Sequence, residues 1–261
     1  MSDKLHQLAD NFWSIRGAFR IAGVVNIGTH ASLIRLGTGR FVFLDAYTLK
    51  GRVCKQVMAL TEEGTLVDAI LNLHPFHTVH CEQMHKDFPA AKLYGSTRHK
   101  SKFPNLPWDA TSIDNPALAE LFSGDFEFSI PQGVDFISAN ENIHFSSVLA
   151  YHTPSQTIHA DDTFMFVPLP KPIKGPLKML GAPSRIGFHP TLAQALEKRP
   201  GAAQDFRDWA LALAENWGDA TNLCAAHMGN YKAAKPGEIG NQIKGALKRV
   251  ERTLASHEKK H

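Results

Sequence analysis

Three histidines, spaced three residues apart, follow a short apolar run at residues 70–73. They are His74, His77 and His80. Neutral imidazole is the commonest protein ligand for zinc, iron and nickel. Because open α/β sheets bind ligands beyond the carboxyl ends of their strands, this segment predicts a metal site at a strand end. In the alternative interpretation, His74 caps a turn, and His80 and His85 lie on a solvated helix face.

The same design recurs elsewhere in the chain: an apolar segment ends on a residue that could bind a metal. The residues in this position are Asp45, His152, Asp161, Asp162 and His227. A single aspartate at a strand end usually forms a turn, and a single histidine there is usually a hydrogen-bonded part of the scaffold. Carboxylates and imidazoles on neighbouring strand ends would together suit zinc or iron.

The elements that must position these residues follow from the apolar patterns. A β-hairpin is the clearest, with strands at residues 30–36 and 41–44 around the turn Gly37-Thr38-Gly39. Other apolar segments predict strands at 12–22, 66–73, 91–95, 126–130, 144–152, 156–160, 163–167 and 220–226. Helical spacing predicts helices at 51–63, 81–87, 116–121, 192–198, 202–217 and 238–254.

Two further segments complete the chain. The proline- and glycine-containing residues 171–183 are predicted to form a lid-like loop. The last helix carries Ile243, Leu247 and Val250 at helical spacing, so we expect that face to pack on the outside of a sheet.

The composition is that of an ordinary globular protein. Of 261 residues, 43% are hydrophobic and 20% are charged, and the formal net charge is +3. Such a small excess does not argue for nucleic-acid binding. The chain lacks an 18-residue apolar run, so no membrane span is expected. The polar start predicts no secretory signal, and three unpaired cysteines suit a reducing, cytoplasmic setting. With no linker evident, we expect one domain over residues 1–261.

The order of these parts resembles that of the metallo-β-lactamase superfamily over roughly residues 21–229. In that family a hairpin ends in Asp, a His-x-His-x-Asp-His loop follows, and a later His, a bridging Asp and a terminal His complete the site. Residues 33–45 look like the hairpin, residues 72–77 like the loop, Asp162 like the bridging Asp and His227 like the terminal His. The Ser155-Gln156-Thr157 segment is closest to a poorly characterised branch.

The resemblance implies a fold, a ligand set and a chemistry. The fold is a four-layer αββα sandwich, two mixed sheets with helices outside. The implied metal ligands are His74, His77, Asp162 and His227, and the candidate catalytic residues are Asp162 and His152, with Asp161 as a further candidate base. The implied cofactor is one zinc or iron ion, with a metal-free protein left open.

Two positions depart from the family loop. Asn72 stands where the first histidine belongs and Phe76 where the aspartate belongs, while the later histidine falls on Gln156. Since the aspartate ligates the second metal and helps to activate water, we expect at most one tightly bound ion and weak or absent β-lactam hydrolysis. An alternative assignment, which we call the second frame, takes His77 and His80 together with Glu82 as the ligands. In it, these residues lie at the start of the next helix, where a spacing of three puts the two imidazoles on one face.

Three functions remain after this reading. The first is a metal-dependent hydrolase of a small-molecule ester, amide or phosphoester. The second is a metal-free binding or scaffold protein of the same fold, which Asn72 and Phe76 favour. The third is an iron-dependent oxidoreductase. No nucleic-acid or membrane partner is expected, and a homodimer is left open.

Overall fold

The computed structural model describes residues 3–17, 20–21, 25–26, 28–167, 185–226 and 229–261. The lid-like loop predicted at residues 171–183 lies outside this range. Within it, no helix is both long enough and apolar enough to cross a lipid bilayer.

Most of the strands lie in two mixed sheets. Their bounds are β1 Lys4–Ala9, β2 Phe12–Gly17, β3 Arg20–Ile21, β4 Val25–Asn26, β5 Thr29–Arg35, β6 Phe41–Leu44, β7 Val67–Leu71, β8 Lys92–Tyr94, β9 Phe126–Ser129, β10 Leu149–His152, β11 Thr157–His159, β12 Phe164–Val167, β13 Arg185–Phe188, β14 Asn222–Cys224 and β15 Asn230–Lys232. The first sheet has the order β1-β2-β5-β6-β7-β8, and the second β15-β14-β11-β10-β9. Two further pairs, β3-β4 and β12-β13, are separate.

Four of the helices lie on the outer faces of the two sheets. The bounds of the helices are α1 Gly51–Leu60, α2 Cys81–Asp87, α3 Thr97–Lys102, α4 Ala117–Leu121, α5 Leu192–Ala195, α6 Ala202–Asn216 and α7 Glu238–Glu258. Helices α1 and α2 pack on the first sheet, and α6 and α7 pack on the second. The predicted αββα sandwich is therefore confirmed.

Alternation along the strands explains the layers. In β6, Phe41 and Phe43 face the helices, whereas Val42 and Leu44 face the core between the sheets. A strand covered on both faces must be apolar at every position, and β6 reads Phe-Val-Phe-Leu. The same two-residue period governs the strands that carry the polar residues of the site.

The last helix packs as predicted. Ile243 and Leu247 are buried in the core between α7, α6 and the second sheet, and Val250 packs against it. Strands β1, β13 and β15 and helix α3 were not predicted, because each is short or polar. The predicted strand at residues 144–152 begins only at Leu149, so the residues before it form a loop.

Candidate metal centre

The loop after β7 carries the first two predicted ligands. Strands β6, β7 and β8 are parallel, so their carboxyl ends meet at one edge of the first sheet. Asp45, directly after β6, fixes the start of the loop with its Oδ1 atom. This oxygen accepts hydrogen bonds from the backbone N–H of Leu73 at 2.8 Å and of His74 at 3.3 Å.

The second sheet supplies the carboxylate. Asp162 follows β11 and meets both loop histidines: its Oδ2 lies 3.5 Å from His74 Nε2 and 3.4 Å from His77 Nε2. The two imidazoles stack with ring centroids 4.0 Å apart. The side chain of His74 is fully buried, whereas 28% of the His77 side chain is exposed. Two nitrogens and one oxygen thus converge at a place that solvent reaches.

These distances test whether a metal ion fits. Tetrahedral zinc holds nitrogen and oxygen ligands at about 2.0–2.1 Å, which separates neighbouring ligand atoms by about 3.3–3.4 Å. The separations of 3.4 and 3.5 Å agree with that value and exceed the length of a normal hydrogen bond. The side chains of His74, His77 and Asp162 therefore fit around one ion.

The pKa values of the two histidines shift in opposite directions. Burial lowers the pKa of His74 to about 3, so this imidazole is neutral, as a metal ligand must be. Burial also disfavours the charged form of His77, but the neighbouring carboxylates of Asp161 and Asp162 outweigh it and raise the pKa of His77 well above its usual value. Because a ligand histidine must be deprotonated, this raised pKa means that a metal ion competes with a proton at His77.

A second histidine–aspartate group lies next to the first, in the space between the two sheets. His30 Nε2 is 2.8 Å from Asp161 Oδ1, and His159 Nε2 is 2.9 Å from Asp45 Oδ2. The rings of His30 and His159 are parallel, with centroids 4.4 Å apart. All four side chains are buried. We call these four residues the inter-sheet pairs.

Alternation along the strands explains the inter-sheet pairs. On β5, His30 and Ser32 share a face with Ile34, which packs in the core between the sheets. On β11, Ile158 faces the outer helices, so His159 faces inward. Ser32 Oγ lies 2.9 Å from His159 Nδ1 and joins the two sheets. Burial is the main cause that lowers the pKa of His30 well below its usual value, so this imidazole is neutral.

The chain has the fold of known metal enzymes, as comparison with solved structures shows. A metallo-β-lactamase from Erythrobacter litoralis, with β-mercaptoethanol in its active site, superposes with a TM-score of 0.60 at 11% identity over 95% of this chain and 97% of that one. The chain has the metallo-β-lactamase fold. The mono-zinc form of the metallo-β-lactamase FIM-1 from Pseudomonas aeruginosa gives 0.56 at 8% identity over 96% of each chain. No protein-family model and no curated protein matches the sequence.

The predicted ligands and catalytic residues of this metallo-β-lactamase fold divide into three sets. His74, His77 and Asp162 come together, as the distances above show. His227 lies outside the described residues. His152 is not with the group: it pairs with Thr157 at the start of β11, about 13 Å of extended strand before the aspartates.

The surroundings of His152 are those of a core histidine. Its Nδ1 is 2.7 Å from Ser155 Oγ, and its ring packs against Phe12 and Phe126. Burial lowers its pKa to about 4. In the second frame, His80 Nδ1 is instead 2.8 Å from Thr48 Oγ1.

Both departures from the family loop have a role in packing. The Asn72 amide donates to the backbone carbonyl of Tyr94 at 3.0 Å, and its oxygen accepts from the Cys81 thiol. Burial raises the pKa of Cys81 to about 12, which makes it a structural thiol. The Phe76 ring lies between the Arg98 guanidinium, 4.6 Å from its centroid, and the ring of His144.

Sequence reasoning missed one histidine near the group. The His144 ring is stacked 4.7 Å from Phe76 and lies 6.0 Å from His74. It precedes β10, which is antiparallel to β11, so the start of β10 and the end of β11 share one edge of the second sheet. The apolar run after His144 was therefore a signal, but only once the direction of the two strands was known.

Proposed function

We propose that this protein is a metal-dependent hydrolase acting on a small molecule, with one zinc or iron ion held by His74, His77 and Asp162. The observation that carries the proposal is the separation of 3.4–3.5 Å between the Asp162 oxygen and the two imidazole nitrogens. Three protein ligands leave a position for water or substrate, which is the arrangement of catalytic rather than structural zinc.

Each residue has a defined part in this proposal. A bound ion would lower the pKa of its water to about 7 and polarise an ester, amide or phosphoester oxygen. His74 meets it as a neutral donor, and His77 gives up its proton to do so. Asp162 supplies the negative charge and is the acceptor that we propose for the proton of the attacking water. Asp161 is less suited to that task because His30 already occupies its Oδ1.

A metal-free scaffold is the second candidate, and one hydrogen bond favours it. The Phe76 backbone N–H donates to His74 Nδ1 at 3.1 Å, which places the proton of the neutral ring on Nε2, the atom that faces Asp162. In that state His74, His77 and Asp162 form an internal ion-paired group. An ion bound at Nε2 must displace this proton, so metal binding and this hydrogen bond compete.

Metal content and activity test the proposal together. The protein is purified without added metal, then dialysed against zinc or, without oxygen, against iron(II), and its metal content is measured. We expect about one ion per chain, lost in Asp162→Ala and kept in His80→Gln, a matched histidine in the second frame. Two histidines and one carboxylate also suit iron(II), so both metals are tested, and hydrolysis by the loaded protein, rather than the identity of the metal, separates the hydrolase from the oxidoreductase.

Hydrolysis by the metal-loaded protein is then measured with a chromogenic ester, a phosphodiester and a β-lactam. We expect hydrolysis of the ester or the phosphodiester, with little or none of the β-lactam. A wild-type protein that binds neither metal at micromolar concentration would overturn the proposal in favour of the scaffold. Loss of the ion in His80→Gln instead would move the site to the second frame.

A further inference from the structure

Asp161 lies between the candidate metal centre and the inter-sheet pairs. Its Oδ1 is 2.8 Å from His30 Nε2 and 3.5 Å from His77 Nδ1. Its Oδ2 is buried and has no hydrogen-bond partner among the residues that the structure describes. His77 therefore has a carboxylate on each side, with Asp162 at Nε2 and Asp161 at Nδ1.

Distance decides what kind of group the inter-sheet pairs are. Their nitrogen–oxygen separations of 2.8 and 2.9 Å are hydrogen-bond lengths, clearly shorter than the 3.3–3.4 Å that separates neighbouring ligands around tetrahedral zinc. His30, His159 and Asp161 could be grouped around an ion by proximity alone. The lengths instead identify two histidine–carboxylate hydrogen bonds, each fully buried.

We propose that Asp161, restrained by His30, is a positioning residue for His77. Its carboxylate lies 3.5 Å from Nδ1, at ion-pair rather than hydrogen-bond distance, and its negative charge favours the ring proton on that nitrogen, which leaves Nε2 to face Asp162 and the ion. Such a carboxylate behind a ligand histidine fixes the tautomer and the ring orientation, and it raises the basicity of the ligand. This inference rests on the proposed function, because it concerns how the same site is held.

The other inter-sheet pair does the corresponding work for the backbone of the loop. Asp45 accepts from the N–H groups of Leu73 and His74, and His159 holds Asp45 from the opposite side. Each loop histidine is therefore fixed by its own buried aspartate. Of the two buried aspartates, Asp161 is the one that faces an imidazole of the candidate centre, at His77 Nδ1, so its replacement should act first on His77.

The first experiment reads the tautomer of His77 in the metal-free protein. Two-dimensional ¹H–¹⁵N spectra are recorded at a pH where the same spectra show the ring to be neutral. We expect the proton on Nδ1 in the wild type and a shift of the population toward Nε2 in Asp161→Ala. His30→Leu should act in the same direction, whereas His30→Gln, which retains an N–H donor, should resemble the wild type.

The second experiment measures zinc affinity. Asp161→Asn preserves the shape of the side chain but removes its charge, and we expect the zinc Kd to rise by about 10- to 100-fold. Ser32→Ala is the control, because the Ser32 hydroxyl meets His159 in the other pair, and it should leave the His77 tautomer unchanged. Circular dichroism checks that each variant is folded.

The outcomes separate this inference from the proposed function. A wild type without zinc but with the His77 proton on Nδ1 would remove the hydrolase and keep the positioning role. A wild type that binds zinc with the proton of neutral His77 on Nε2 would overturn the positioning role alone. So would Asp161→Asn with an unchanged zinc Kd, or a second ion whose binding requires His30 and His159.

Discussion

Two groups of the same residue types lie next to each other in this protein and differ in their internal distances and in the exposure of one histidine. In the candidate metal centre, nitrogen and oxygen atoms are 3.4–3.5 Å apart and His77 is partly exposed. In the inter-sheet pairs, the corresponding atoms are 2.8–2.9 Å apart and every side chain is buried. The first spacing leaves room for an ion, and the second is closed by hydrogen bonds.

The difference comes from where each group lies on the strands. His30 and His159 lie within strands and face the space between two sheets, where water is excluded and an unmatched polar group is costly. His74, His77 and Asp162 lie on loops beyond strand ends, where the backbone can leave a gap and solvent can enter. The same residue types therefore close the scaffold in one place and leave a space that an ion fits in the other.

Replacing Phe76 would change the metal centre most. Phe76→Asp restores the carboxylate at the family's aspartate position in the loop. We expect the metal content measured after dialysis to rise from about one ion per chain toward two. Phe76→Leu keeps an apolar side chain and should stay at one. Asn72 is left unchanged because its amide holds Tyr94. Two tightly bound ions in the unmodified protein would show that the frame of this loop is wrong.

Breaking an inter-sheet pair should have the next largest effect, on stability. Asp45→Ala leaves His159 Nε2 and the N–H groups of Leu73 and His74 without their acceptor, and loss of one partner from a buried pair costs about 3–5 kcal/mol. Urea denaturation of the metal-free protein measures this loss. Asp45→Asn should cost less, because asparagine keeps an acceptor and tolerates the positive φ of 63° at this position. Equal losses in both variants would argue against the hydrogen bonds as the cause.

The pH dependence of stability should have opposite signs in the two groups. The pKa of His30 is lowered, mainly by burial, so below about pH 6.5 the unfolded chain takes up a proton that the folded protein excludes. The difference in unfolding free energy between the wild type and His30→Gln should therefore fall by about 1.4 kcal/mol for each pH unit below about pH 6.5.

For His77 the sign reverses. Burial opposes its charge, but Asp161 and Asp162 raise its pKa, so its contribution to stability is complete below about pH 6.5 and is lost as the pH rises through the folded value. Relative to His77→Gln, the metal-free wild type should lose stability on the alkaline side. Denaturation curves of the three proteins across this range check both signs, and parallel curves would contradict them.

The smallest effect is expected at Ser32. Ser32→Ala removes the hydroxyl at His159 Nδ1, and one buried hydrogen bond is worth about 1 kcal/mol. The unfolding free energy should fall by that amount, while the zinc Kd stays within error, because Ser32 contacts the pair that holds the backbone rather than His77. A clear change in zinc affinity would show that the Asp45–His159 pair also affects metal binding.

The sequence by itself determined the layers and the loop. Apolar strands covered on both faces, a hairpin with a glycine turn and an amphipathic final helix are local patterns, and each reports its own period without knowledge of its neighbours. The histidines after β7 and the aspartate before β12 were visible for the same reason. What these patterns specify is the face on which a side chain lies.

Only the tertiary structure decided which faces meet. His30 and Asp161 are 131 residues apart in sequence, and His159 and Asp45 are 114 apart. No local period contains such a pairing, so Asp161 was predicted as a candidate base and not as the neighbour of His30. The positioning role of the inter-sheet pairs follows from the order of the strands in two facing sheets.

Strand direction decided the rest. His152 ends an apolar strand and Asp162 follows one, and the pattern treats both as strand ends. Because β10 and β11 are antiparallel, those ends lie at opposite edges of the second sheet, whereas His144, at the start of β10, lies on the side of Asp162. An alternating pattern is the same in both directions along a chain, so the sequence names the residues at strand ends and the fold alone decides which ends share a site.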